Sequence, residues 1–128
     1  MARIFLITGG ARSGKSQFAE NICRSSGKKI GYIATSEIWD KEMKRRVEAH
    51  QNRRPESWKV WETPSGDPEI IKEAQEGSEI LLFDCLTLYL THWIFHTDTP
   101  KKYKEREIFI MEKLDQLLEQ FQYWNGIV

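Results

Sequence analysis

The sequence predicts an α/β fold in which helices flank a parallel sheet of the P-loop nucleotide-binding type, ending before the last strands of such a sheet. Short apolar segments alternate with longer amphipathic ones, an order typical of parallel sheets. A glycine-rich sequence follows the first apolar segment and precedes the first helical pattern. The chain ends soon after a long helical pattern, where a further strand is expected.

Length and composition limit the kind of protein. The chain has 128 residues, which suits one nucleotide-binding domain over residues 1–128. Its 19 basic residues balance 19 acidic ones, so no basic field indicates nucleic acid and no polybasic segment indicates a membrane. The longest apolar region, residues 80–95, contains Asp84 and His92 and is too short to span a bilayer. Two distant cysteines favour reduced thiols and a cytoplasmic location.

Three segments are predicted to form core strands. Residues 3–8 are almost continuously apolar, which predicts a strand buried on both faces. Residues 29–34 and 79–83 have the same character, and the second of these runs ends at Asp84. Trp58 to Glu62 alternates between apolar and polar residues and is a doubtful fourth strand.

Five segments have helical periodicity. They cover residues 15–24, 38–53, 69–75, 86–95 and 102–124. Pro68 can start the third helix, and Thr35 or Ser36 could cap the second. The second is strongly charged, with Met43 and Val47 as a thin apolar seam. The predicted inner side of the first helix consists of Phe18, Ala19, Ile22 and Cys23. The predicted inner side of the last consists of Ile108, Met111, Leu114, Leu118 and Phe121.

The glycine-rich sequence matches the full P-loop pattern from Gly9 to Ser16. Glycines let the backbone turn tightly and bring its N–H groups close to phosphate oxygens. The Lys15 ammonium can reach terminal phosphates, and the Ser16 hydroxyl can bind Mg²⁺. An accidental glycine-rich turn is disfavoured because a predicted strand precedes the motif and a predicted helix follows it. The predicted nucleotide contacts here are Gly9, Gly10, Ala11, Arg12, Ser13, Gly14, Lys15 and Ser16.

Asp84 is a candidate metal ligand at the carboxyl end of the third strand. In a parallel sheet that end lies beside the P-loop, where a carboxylate can hold Mg²⁺ directly or through water. The alternative is an aspartate that only ends a strand at a turn. The P-loop favours the metal role, shared with Ser16.

His50 is a candidate nucleophile on the charged helix. Arg46, His50 and Arg53 follow one another at i, i+4 and i+7, which places them on one helix face. Two guanidinium groups would disfavour protonation of the imidazole, and a neutral imidazole can attack phosphorus. The residues alone favour the alternative, a solvated charged face with an incidental histidine.

The remaining histidines and the tryptophans are expected to be structural. His92 and His96 could share a metal, but no third ligand stands at a suitable spacing, so core or boundary histidines are favoured. The five tryptophans are predicted to pack: Trp39, Trp58, Trp61, Trp93 and Trp124. Stacking of Trp58 or Trp61 on a base is the alternative.

Four segments identify a protein family more specifically than the generic P-loop pattern does. They are ITGGARSGKS at 7–16, YIATS at 32–36, RVEAHQNRRP at 46–55 with Trp58 and Glu62, and DCLTLYLT at 84–91. From residue 3 to about residue 95 the chain resembles the bifunctional adenosylcobinamide kinase / adenosylcobinamide-phosphate guanylyltransferase family of cobalamin biosynthesis. Asn usually follows the last of these segments in the family, whereas His92 stands here. A C-terminal part containing an N-E-V-G-x-G-I-V-P segment is absent.

The resemblance implies two activities. A kinase step phosphorylates adenosylcobinamide with ATP or GTP, and a transferase step moves GMP from GTP, through a guanylyl-histidine, to adenosylcobinamide phosphate. The histidine at the matching position is His50, which reverses the preference stated above. The resemblance also implies a homo-oligomer, with a trimer as the expected form. It extends the nucleotide contacts to Ala34, Thr35, Ser36, Gln51, Asn52, Arg53, Arg54, Glu62 and Asp84.

Two other functions are compatible with the sequence. Another small-metabolite P-loop kinase would transfer phosphate without forming covalent GMP. A shortened nucleotide-binding module would bind nucleotide without turnover, which the absent C-terminal part favours.

Overall fold

The computed structural model describes residues 2–38 and 40–128, except for the side chain of His50. It contains a three-stranded parallel sheet flanked by helices, which confirms the predicted fold class. Trp39, one of the tryptophans expected to pack, lies outside the described residues.

The sheet places three strand ends side by side. Strand β1 is Ile30–Ala34, β2 is Lys59–Glu62 and β3 is Ile80–Asp84, and the strand order is β2-β1-β3. Ala34 pairs with Glu62 on one side and with Asp84 on the other. The doubtful segment at residues 58–62 is therefore a strand, and the carboxyl ends of the three strands form one edge.

The helices follow the predicted segments with small shifts at their ends. They are α1 Lys15–Ser25, α2 Lys41–Arg53, α3 Pro68–Glu76, α4 Leu86–Ile94 and α5 Tyr103–Gln122. Helix α2 begins later than predicted because Asp40, rather than Thr35 or Ser36, caps it by accepting a 2.8 Å hydrogen bond from Met43 N. Helix α3 begins at Pro68 as predicted.

Hydrophobic cores cover both faces of the sheet because successive residues of β1 point to opposite sides. Ile33, with its neighbours Trp61 and Leu81, packs against α3 and α5. Tyr32 belongs to the other core, with Trp58 and with residues of α1 and β3. Trp93 and Trp124 pack against the first core. These four tryptophans pack as predicted, and Trp58 and Trp61 keep only 8% and 6% of their surfaces exposed, which leaves little area for a base.

The predicted first strand is wrong. Within residues 3–8 only Arg3 forms a bridge, with Ile127, and Ile127 in turn bridges Ile80. Phe5 N donates to Val128 O at 2.8 Å, so pairing stops after a few residues. Phe5 and Leu6 are 65% and 72% exposed. The apolar composition predicts a strand buried on both faces, but none of the described strands pairs with residues 4–8.

The predicted inner faces of two helices are partly wrong. On α1, Phe18 and Ile22 are more than half exposed while Glu20 is buried, because the sheet covers the flank that carries residues 19, 20 and 23. On α5, Leu117 and Phe121 form the buried positions. The predicted residues Ile108, Met111 and Leu118 are exposed, whereas Phe121 is buried as predicted and Leu114 is half-buried.

No helix among the described residues is long and apolar enough to cross a membrane. Cys23 on α1 and Cys85 at the start of α4 are free thiols.

Candidate nucleotide-binding site

The P-loop motif forms an exposed loop that leads directly into α1. Gly14 caps the helix with φ of 84°, a left-handed conformation that favours glycine. A Cβ added at Gly9 would lie 2.5 Å from Ser13 Oγ, so the loop folds back on itself closely at this position. The backbone conformation thus requires glycine at position 14, and the close approach of Ser13 favours it at position 9.

The start of α1 is suited to an anion. Among the described residues no side chain caps its first turn, so the N–H groups and the positive end of the helix dipole can meet a ligand. Lys15 Nζ donates to Gly10 O at 3.2 Å, which places the ammonium across the loop. These groups are the donors that phosphate oxygens need.

Asp84 lies at the same edge as the P-loop helix. Helix α1 packs against β3, which ends in Asp84. Burial raises the pKa of the Cys85 thiol, and the Asp84 charge adds to this, while N–H groups of α4 and the Lys15 ammonium oppose it.

Four buried or half-buried polar residues surround this edge on the α1 side. Tyr32 OH donates to Asp84 Oδ2, and the Arg54 guanidinium lies 3.9 Å from the centre of the Tyr32 ring. Burial raises the pKa of Tyr32 well above its usual range. Asp84 and Glu20 contribute to this rise, and Arg54 opposes it. We call Glu20, Tyr32, Arg54 and Asp84 the polar cluster.

Thr35 joins the ends of β1 and β3. Its hydroxyl donates to Cys85 O at 2.7 Å and accepts from Cys85 N at 2.8 Å, and Thr35 N donates to Asp84 O at 3.1 Å. The residue is only 1% exposed. These bonds fix the backbone that follows each strand, including that of Ser36.

Replacing Thr35 by valine is expected to destabilise the fold by about 1–3 kcal/mol, because a buried backbone N–H and C=O of Cys85 would lose their partner. The free energy of unfolding in urea measures the effect. Thr91→Val is the matched control, since its exposed hydroxyl donates to Thr87 O within its own helix α4. Equal stability losses for the two variants would contradict the role of Thr35.

Helix α2 is held close to α1 at its C-terminal end. Arg24 of α1 donates to Arg53 O, and Arg54 stacks on Tyr32. Backbone position 50 lies in the last turns of this helix. The side chain of His50 is outside the described part of the chain, so its nucleophilic role stays a prediction.

The two arginines predicted to flank His50, Arg46 and Arg53, do not both lie near the site. Arg46 donates to Glu42 at 2.9 Å, and its side chain is 69% exposed, which is typical of a solvated helix face. Gln51 and Asn52 are exposed near the end of the helix. The stacked guanidinium belongs to Arg54, one residue beyond the helix.

The other predicted contacts surround the same edge. Ala34 and Glu62 end β1 and β2. Ala11, Arg12 and Ser13 are exposed in the P-loop. The sheet thus aligns the three strand ends, and α1 packs against β3, while a nucleotide role for each residue stays a prediction.

His92 of α4 and His96 of the following loop each contact one carboxylate. His92 Nδ1 lies 2.5 Å from Glu37 Oε1, and His96 Nδ1 lies 3.7 Å from Asp98 Oδ2. No group of three or more His, Cys, Asp or Glu side chains that could hold a metal occurs among the residues the structure describes. The His92–Glu37 contact instead joins α4 to the segment between β1 and α2.

Sequence reasoning missed three polar residues near the site: Glu20, Tyr32 and Glu37. A signal existed for Tyr32, because its hydroxyl stands in an otherwise apolar strand and alternates in phase with Ala34. Glu20 follows Ala19 in the P-loop helix, and only the packing of α1 shows that this flank is buried. Nothing local marks Glu37.

The residues present fit a magnesium ion. Ser16 supplies a hydroxyl at the start of α1, and Asp84 supplies a carboxylate at the strand edge against which α1 packs. Mg²⁺ prefers such hard oxygen ligands and completes its coordination with water and phosphate oxygens. Tyr32 engages Oδ2 of Asp84, so Oδ1 is the oxygen left for such an ion.

A P-loop before the first helix, with a carboxylate at the end of a neighbouring parallel strand, defines a P-loop nucleotide-binding protein. Residues 5–127 match the family described as cobinamide kinase / cobinamide phosphate guanyltransferase, and the chain belongs to that family.

Curated relatives support this membership. The chain is 42% identical over 112 residues to the bifunctional adenosylcobalamin biosynthesis protein CobP of Pseudomonas aeruginosa, covering 88% of this chain and 64% of the relative. It is 38% identical over 110 residues to CobU of Escherichia coli, covering 86% and 60%. CobU of Salmonella typhimurium is 36% identical over 92 residues, covering 72% and 50%. The chain thus spans between half and just under two thirds of the length of these relatives.

Proposed function

We propose that this chain carries the sites of a bifunctional enzyme of cobalamin biosynthesis, a kinase for adenosylcobinamide and a guanylyltransferase for adenosylcobinamide phosphate. The observation that carries the proposal is the P-loop beside Asp84 in a chain that matches the kinase and guanyltransferase family over residues 5–127. Residues 1–128 form one P-loop domain in this proposal, which acts in the cytoplasm on small molecules and not on nucleic acid.

In the kinase step the chain binds the terminal phosphates of ATP or GTP. The P-loop N–H groups and the Lys15 ammonium hold the phosphate oxygens as charge shifts toward them. The substrate hydroxyl attacks the γ-phosphorus, the bond to the β-phosphate oxygen breaks, and the hydroxyl proton leaves to water. Ser16 and Asp84 would hold Mg²⁺, which would neutralise phosphate charge when bound.

In the transferase step His50 is the nucleophile. A ring nitrogen forms a bond to the α-phosphorus of GTP, and pyrophosphate leaves with the electron pair of the broken P–O bond. The phosphate of adenosylcobinamide phosphate then attacks the same phosphorus and releases the histidine, which gives adenosylcobinamide-GDP. Arginine side chains at the end of α2 stabilise the phosphoryl charge.

The proposed nucleotide contacts are those named from the sequence. They comprise the P-loop residues 9–16, the strand ends Ala34, Glu62 and Asp84, and the segments 35–36 and 51–54. The burial of the Thr35 hydroxyl against Cys85 favours a contact through the backbone of that segment. A homo-oligomer, with a trimer as the expected form, is also part of the proposal, and light scattering in solution tests it.

Turnover on the corrinoid substrate tests the proposed function. Incubation of the chain with adenosylcobinamide, GTP and Mg²⁺ is expected to give adenosylcobinamide phosphate and then adenosylcobinamide-GDP, separated by chromatography and identified by mass. Phosphorylation of another metabolite but not of adenosylcobinamide would favour a different P-loop kinase. Nucleotide binding without any product would favour a binding module.

A further inference from the structure

Tyr32 and Asp84 meet because of the register between two strands. Tyr32 pairs with Leu82 and Ala34 pairs with Asp84, so Tyr32 and Asp84 lie on adjacent strands, two residues apart and on the same face. The length of the tyrosine side chain spans this diagonal, and its hydroxyl donates to Asp84 Oδ2. The contact therefore lies at the strand edge where the P-loop helix begins.

The position of the Tyr32 hydroxyl is fixed by its surroundings. Tyr32 is only 3% exposed and belongs to the core that includes Cys23 and Trp58. The Arg54 guanidinium lies over the ring, 3.9 Å from its centre. Arg54 Nε and Nη1 are buried without a hydrogen-bond partner among the described residues, so ring contact is the main interaction that the structure shows for this group. The phenol is held from both sides.

An aspartate held in this way presents its carboxylate in one orientation. The terminal torsion of a free aspartate is broad, so an unsupported carboxylate samples many angles. Groups that hydrogen-bond to a metal-binding carboxylate orient it, and their loss typically weakens metal binding about 10- to 100-fold. Because Tyr32 occupies Oδ2, the orientation of Oδ1 is set by a buried group.

We propose that Tyr32 is a positioning residue that orients the Asp84 carboxylate for the divalent cation of the bound nucleotide. This inference rests on the metal role of Asp84 in the proposed function. It adds the residue that fixes the orientation of the Asp84 carboxylate. Tyr32 contacts neither substrate nor metal in this account. It acts through one hydrogen bond.

The test compares two buried tyrosines that each lose one hydroxyl. Tyr32→Phe removes the donor to Asp84 and keeps the ring beneath Arg54. Tyr89→Phe is the matched control, because Tyr89 is 2% exposed and donates to Lys113 O at 2.7 Å on the other side of the sheet. Both variants are expected to lose about 1 kcal/mol of unfolding free energy. Only Tyr32→Phe should alter the metal site.

Affinity for Mn²⁺ is measured by electron paramagnetic resonance in the presence of a GTP analogue whose α–β bridge cannot be cleaved. Tyr32→Phe should weaken Mn²⁺ binding about tenfold, and Tyr89→Phe should leave it unchanged. Binding of the analogue without metal should be the same in both variants and the wild type. Together these results would support the positioning role, which a general loss of stability does not predict.

Asp84→Asn separates the two ways in which the account can fail. If Asp84→Asn weakens Mn²⁺ binding while Tyr32→Phe does not, Tyr32 has no positioning role and the proposed function stands. If Asp84→Asn leaves Mn²⁺ affinity unchanged, Asp84 is not the metal ligand, and both the metal assignment and this inference are wrong.

Discussion

His50→Ala is expected to abolish covalent attachment of GMP to the protein, whereas the chain with all three histidines retains one GMP per molecule after incubation with GTP and Mg²⁺. Alanine has no lone pair to attack the α-phosphorus, so no covalent intermediate forms. Radiolabelled GTP measures the attachment, and the bond should be acid-labile and alkali-stable, as a phosphoramidate on histidine is.

The control for this variant is His96→Ala. His96 lies after α4 and contacts Asp98, far along the chain from α2, so its loss should leave labelling intact. Nucleotide binding by His50→Ala should also persist, because the P-loop is unchanged. Labelling that survives in His50→Ala would refute the assignment of the nucleophile.

Lys15→Met is expected to reduce the rate of phosphoryl transfer by a factor of about 100 or more, because one preorganised cation would be lost from the developing phosphate charge. Methionine keeps an unbranched apolar stem of similar length, so α1 should remain folded. The variable to measure is kcat for adenosylcobinamide phosphorylation at saturating nucleotide, together with KM for the nucleotide.

Lys28→Met is the matched control, since Lys28 is an exposed lysine between α1 and β1. Removing it subtracts the same charge from the chain without touching the P-loop. A Lys15→Met enzyme whose kcat stays close to that of Lys28→Met would show that Lys15 does not act on the transferred phosphate.

The parts of the fold that the sequence predicted are those set by local patterns. β1 and β3 are short apolar runs with a turn on each side, and Asp84 ends the second of them. The P-loop is a contiguous motif, and its own backbone conformation requires the glycine at position 14. The site edge followed from these features because parallel strands share one carboxyl edge.

The errors concern features that depend on distant neighbours. Residues 3–8 have the composition of a strand, but a strand also needs a partner, and the pairing seen here is limited to contacts of Arg3 and Phe5 with residues 126–128. The periodicity of α1 and α5 shows that apolar residues recur. It does not determine which flank the sheet covers, so Glu20 rather than Phe18 is buried.

The contacts within the polar cluster could not be predicted from the sequence, because they too depend on distant residues. Tyr32 and Asp84 are 52 residues apart, and their contact depends on the register of β1 against β3. Arg54 was identified through the family resemblance, but its position over Tyr32 depends on how α2 packs beside α1. Strand register and helix packing angle are properties of the tertiary structure, and a single sequence does not determine them by any local pattern.

The most direct test of the central claim is the intact mass of the chain after incubation with Mg²⁺ and either GTP or ATP. Guanylyl transfer to His50 predicts a species heavier by one GMP with GTP, formed with release of pyrophosphate, and no nucleotide adduct with ATP. An unmodified mass with GTP, or an equal adduct of AMP with ATP, would contradict guanylyl transfer by this chain.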